Sequence, residues 1–138
     1  MSIGQGSVQK TFLYTYLFTS LALAPGATAT ITKNILSGFD FNWIKGMYFA
    51  DIAAAAQTES ARIIPLVTVL LTDTKTAFNL MDSAVPMTSL FGTGELPFIL
   101  PKPYRFESSG TITMTLANFS SATTYNLRLA MNGISSQA

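Results

Sequence analysis

The sequence predicts an all-β chain folded as one two-sheet β-sandwich, jelly-roll-like, with about eight strands. Three observations predict it. Between Pro97 and Gly133, Ile112, Met114 and Leu116 alternate with Thr111, Thr113 and Thr115, and Tyr125, Leu127, Leu129 and Met131 alternate with Thr124, Asn126, Arg128 and Ala130. That period of two is the mark of strands with one face on a core. Similar short apolar runs recur along the rest of the chain, separated by turn residues and with no segment long enough for an independent helix. The length, 138 residues, suits a single domain.

The elements follow in order. Residues 1–10, MSIGQGSVQK, form an extended N-terminal arm with only Ile3 and Val8 to bury, so a neighbouring subunit is expected to hold it. The domain proper is expected over residues 11–134. Thr11–Ala24 has the outline of a signal peptide ending at Ala27-Thr28-Ala29, but Phe12, Tyr14, Tyr16 and Phe18 alternate with Leu13, Thr15, Leu17 and Thr19, which is strand chemistry. Its apolar part is too short to span a bilayer. Ala24-Pro25-Gly26-Ala27 reads as a type II turn, and Ala27, Ala29 and Ile31 then alternate with threonines up to about Ile35. Ser37–Trp43 carries Phe39, Phe41 and Trp43 on one side, and Met47–Ile52 extends it.

Ala53–Ala61 reads as a loop with room for a helical turn. Arg62–Thr74 is a run apolar enough for a strand covered on both faces, with Pro65 at its start. A turn over Thr72–Lys75 leads to a short strand at Thr76–Met81, and Asp82–Glu95 reads as a long loop with Phe91-Gly92-Thr93-Gly94 at its tip. Pro97–Pro103 is extended chain in which three prolines cannot donate. A turn over Glu107–Gly110 opens the two alternating segments, which read as a β-hairpin joined at Asn118–Thr123. Neither apolar face can stand alone, so the rest of the chain must supply a second layer. Residues 135–138 read as a polar C-terminal tail.

Composition narrows the function. Charged residues make up 11% and hydrophobic residues 49%, with a net charge of +1, where an ordinary soluble domain carries about 25% charge. A subunit covered by neighbours tolerates this, because interface cores are depleted of charge. The chain has no Cys and no His, so it lacks a thiol nucleophile, a zinc-thiolate site and the usual base near neutral pH. The eight basic residues are scattered and form no stripe for nucleic acid. The seven carboxylates share no motif, and Gly92-Thr93-Gly94 lacks the Lys and helix of a phosphate loop. Asn118-Phe119-Ser120 matches the N-glycosylation pattern, but an Asn opening a loop needs no glycan to explain it. The expectation is therefore no enzyme, no cofactor and no catalytic, cofactor-binding or metal-ligating residue.

The succession Pro97-x-x-Leu100-Pro101-x-Pro103-Tyr104-x-Phe106, then Gly110-x-Ile112-x-Met114-x-Leu116-x-Asn118, then a strand closing at Asn132-Gly133, resembles the β-sandwich decoration and minor capsid structural proteins of tailed bacteriophages. The turn at Leu23-x-Pro25-Gly26-Ala27 followed by Phe39 and Phe41 fits the same layout. The resemblance implies a non-enzymatic virion protein at the capsid surface, a homo-oligomer, often a trimer, whose partner is the major capsid protein of the same virion, without nucleic acid or membrane. The residues expected to make assembly contacts are Ile3, Val8, Phe91, Leu96 and Phe98, apolar side chains in an arm or loop. Two other readings stay open: a phage tail, connector or small jelly-roll shell subunit, and a secreted carbohydrate-binding sandwich with Phe39, Phe41 and Trp43 as its stacking platform.

Overall fold

A computed structural model describes residues 10–52, 64–93 and 95–137. Among the described residues, seven strands of seven or more residues make two antiparallel sheets: β1 (Thr11–Leu23), β2 (Thr28–Asn34), β3 (Phe39–Ile52), β4 (Val67–Asp73), β7 (Phe98–Phe106), β8 (Thr111–Asn118) and β9 (Tyr125–Gln137). Two-residue strands β5 (Phe78–Asn79) and β6 (Val85–Pro86) both pair with β4. One sheet has the order β1-β9-β3-β7 and the other β2-β8-β4-β5.

This order is one long ribbon rolled up. β1 pairs with β9, β2 with β8, β3 with β7 and β4 with β5 and β6, so the first half of the chain runs against the second in nested pairs. Rolling the ribbon brings β9 against β3 and β8 against β4. The result is the double-sheet jelly roll the sequence predicts. The inward sides fill the core as the alternation requires: Ile112, Met114 and Leu116 from β8 meet Leu127, Leu129 and Met131 from β9, with Val67, Val69 and Leu71 from β4 and Phe18, Phe41 and Trp43 opposite.

The expected hairpin is a correction. β8 and β9 bury the faces foreseen for them, but they lie in different sheets and do not pair. Two consecutive strands with apolar faces can satisfy each other across a core as well as side by side, and the loop decides. Here Asn118 is buried at the corner: its Nδ2 donates to Leu23 O at 2.9 Å and Thr123 O at 2.8 Å, and its Oδ1 accepts Ser120 N–H at 2.8 Å. The loop is thereby turned across the sandwich, and a buried Asn that spends its amide on two carbonyls is no glycan acceptor.

Other differences are local. β1 keeps the predicted alternation, with Tyr16, Phe18 and Ser20 inward, and is irregular between Ser20 and Leu23, where Ala22 takes φ 55° and donates to Asn126 Oδ1. The Pro25-Gly26 turn closes through Ala27 N–H to Ala24 O at 3.0 Å, with Gly26 at φ 75° as a type II turn needs. β4 begins at Val67 and does alternate, its Thr68, Leu70 and Thr72 half-buried, while Ile64 and Leu66 stay exposed before it. β9 runs on to Gln137, so Ser135, read as tail, is a fully buried strand residue paired with Phe12 and Phe41. Next to it Gly133 faces Trp43, and a Cβ there would meet Asn42 O at 2.0 Å. Of the prolines of Pro97–Pro103, Pro101 and Pro103 fall in β7, an edge strand that leaves β3 between Ile99 and Tyr104, as strand prolines demand; Pro97 precedes it.

Candidate assembly surfaces

β3 is the element against which the sequence-predicted contacts sort themselves. β7 covers its edge only as far as Gly46. Beyond that the segment after the short helix Met87–Ser89 takes over: Gly92 donates to Gly46 O at 3.1 Å and accepts from Tyr48 N–H at 2.7 Å. This closes Phe91 over Trp43, ring on ring at 6.0 Å. Phe91 is fully buried, which corrects its expected place at a loop tip: a large ring beside an uncovered tryptophan gains more by filling the end of the core than by meeting water. Phe41 and Trp43 are buried as well, Trp43 with its Nε1 donating to Lys45 O at 2.8 Å, and Phe39 is edge-on to Phe12. Phe39, Phe41 and Trp43 therefore present no stacking platform, and the carbohydrate reading loses its residues.

Leu96 stands 79% exposed in the turn before β7, held there by its N–H to Thr93 Oγ1 at 3.0 Å. Phe98 is half-buried and lines a groove of about 270 Å³ with Phe78, Leu80, Leu90 and Leu100. The groove opens between β7 and β5, where the sandwich has its free side. Tyr104 spans that side: it stacks on Phe78 and donates its hydroxyl to Asp73 Oδ2 at 2.9 Å. Burial, then the hydrogen bond to the carboxylate, pushes its pKa up to about 12. Asp40 ties the other end of β7, accepting from Arg105 Nη2 at 2.7 Å and from Ser108 N–H at 2.9 Å. Structural bonds thus occupy both of these buried carboxylates. Ile3 and Val8 lie outside the described residues, as does the Ala53–Ala61 loop.

A sheet face that exposes several apolar side chains is not visible in the sequence reading. It is the solvent face of the β1-β9-β3 sheet. In register across it run Leu13 beside Ile134, Leu17 beside Ala130 and Met47, and Thr19 beside Arg128 and Phe49. Leu13 is 83% exposed, Leu17 47% and Phe49 52%. Thr15 and Asn132 share a hydrogen bond of 2.8 Å at its centre, and a dent of about 320 Å³ opens beside them, lined by Leu13, Ile44 and Lys45. The signal was present as Leu13 and Leu17 on the side of Thr11–Ala24 opposite its aromatics. It was read as strand alternation alone, because one strand cannot show which face its neighbours leave uncovered.

Among the described residues no group of His, Cys, Asp and Glu is arranged to hold a metal ion, and no helix is long and apolar enough to cross a membrane. No protein-family model matches the chain, and no curated protein matches it. Among solved structures the chain is similar to VP2 of infectious bursal disease virus, from the crystal structure of its subviral particle, with a TM-score of 0.36 and 12% identity over 94% of this chain. That match takes in 37% of VP2, so this chain spans little more than a third of its length.

Proposed function

We propose that this chain is a non-enzymatic structural protein of a bacteriophage virion, decorating or stabilising the capsid as an oligomer. The observation that carries the reading is the apolar solvent face of the β1-β9-β3 sheet, in a chain with 11% charged residues. A monomer gains nothing by showing water Leu13, Leu17 and Phe49 on one sheet face, whereas a subunit seated on a shell covers them. Its partners are other copies of itself, as a trimer, and the major capsid protein. The test is to add the purified protein to capsid shells that lack it and follow co-sedimentation and light scattering. Saturable binding with a fixed ratio to the shell subunit is the expected result. A protein that stays monomeric and sediments apart from the shells overturns the reading.

The nested-ribbon topology favours a second reading, because jelly rolls also build shells by themselves. Closed particles formed by the purified chain alone would mark it as a shell subunit.

A further inference from the structure

A sheet edge presents unpaired N–H and C=O groups, and chains guard such edges with prolines, charges, bulges or brevity. Among the described residues, three of the four sheet edges are guarded. β7 carries Pro101, Lys102, Pro103 and Arg105; β5 and β6 are two residues each; β2 carries Lys33 in a seven-residue strand. β1 is different. It has 13 residues without a charge or a proline, and among the described residues nothing pairs with it on the side away from β9.

Its sequence adds a second observation. Thr11-Phe12-Leu13-Tyr14-Thr15-Tyr16-Leu17-Phe18-Thr19 reads the same in both directions about Thr15. This stretch is also the regular part of the strand, ending before the irregularity between Ser20 and Leu23. A second copy laid antiparallel about a two-fold axis at Thr15 would pair every residue with its own kind: Leu13 with Leu17 and Thr15 with Thr15 on the solvent face, Phe12 with Phe18 and Tyr14 with Tyr16 on the other. Aromatic and threonine cross-strand pairs of this sort favour pairing. Lys10 would meet Ser20, so no like charges oppose each other.

From this edge we infer that β1 is a self-pairing strand, whose partner is β1 of a second copy in the register centred on Thr15, joining two four-stranded sheets into one of eight. The contact is isologous. It goes beyond the virion role, since it holds for this strand whatever particle the chain serves. Nine residues extend ~30 Å, and a band of side chains about 10 Å deep gives roughly 600 Å² in total. That is short of the ~1,000 Å² of a stable interface, so the pair forms weakly in dilute solution and is best caught by trapping.

The chain has no cysteine, so single substitutions report unambiguously. Opposed residues of an antiparallel pair have Cα atoms ~4.5–5.5 Å apart, inside the range a disulfide bridges. Under mild oxidation Thr15→Cys is expected to crosslink to itself at least tenfold faster than Leu13→Cys, Leu17→Cys or the same-face control Phe49→Cys. A mixture of Leu13→Cys with Leu17→Cys is expected to crosslink as the heterodimer. Circular dichroism on each variant confirms the sheet content. Self-crosslinking of Thr15→Cys no faster than the Phe49→Cys control overturns the proposal, and so does faster crosslinking of Leu17→Cys alone, which would move the axis.

Discussion

Tyr104 holds the open side of the sandwich with a bond whose strength depends on pH. Its folded pKa of about 12 lies above the ordinary 10, so the folded state keeps a proton that the unfolded chain releases first. The stability it lends is full below about pH 10 and is lost as pH rises toward 12. Tyr104→Phe is therefore expected to make unfolding less sensitive to pH between 10 and 12, followed by urea melts at each pH; Tyr16, raised in the same direction by burial, keeps a remaining slope. An unchanged slope would show that the hydroxyl titrates alike in the folded and unfolded chain, against both its burial and its bond to Asp73. Phe91 and Leu96 test the placement of the loop before β7. Phe91→Ala should cost about 3–5 kcal/mol, as an emptied aromatic site does, and Leu96→Ala under about 0.5 kcal/mol, as an exposed change does. Equal costs in a denaturant titration would contradict the burial of Phe91.

At the scale of elements, the crossing from β8 to β9 depends on Asn118. Asn118→Ala leaves Leu23 O, Thr123 O and Ser120 N–H without their partner, and the expected loss is roughly 2–4 kcal/mol, read from the shift in urea midpoint at constant slope. A loss below about 1 kcal/mol would mean that water replaces the side chain at the corner. The same corner explains what was legible in the sequence and what was not. Ile112, Met114, Leu116, Tyr125, Leu127, Leu129 and Met131 announced their inward faces through alternation, and all are buried. Their pairing was hidden, because period two is identical in a hairpin and in an arch. The bonds that Asn118 and its neighbours make across the corner separate the two, and those are tertiary facts. Phe91 was misread for a related reason. Followed by Gly92 and Thr93 it has the local composition of a loop, and its burial comes from Trp43, 48 positions away in the chain.

Across the whole molecule, low charge and the exposed apolar side chains of one sheet face point in the same direction. The sequence made the shortage of charge plain, but the face needed three strands in register before Leu17, Met47 and Phe49 became one surface. Phe49 lies two strands in from the β1 edge, so it separates contacts made by the face from pairing made by the edge. Phe49→Ser is expected to leave stability within about 0.5 kcal/mol while weakening shell binding at least tenfold and leaving Thr15→Cys crosslinking unchanged. Co-sedimentation that does not respond to Phe49→Ser would move the shell contact off this face.

The nested ribbon also sets an order in time. β1 pairs with β9, and Thr11 lies against Ser136 at the far end of the chain. On a ribosome adding about 5–20 residues per second, Thr11 waits roughly 6–25 seconds for the Ser136 that will lie against it. Throughout that wait both edges of an uncharged, self-matching segment are open to the same segment on a neighbouring nascent chain. The strand fitted to join finished subunits is thus also the one most able to join unfinished ones, and crowded synthesis on one message would favour exchanged dimers over monomers.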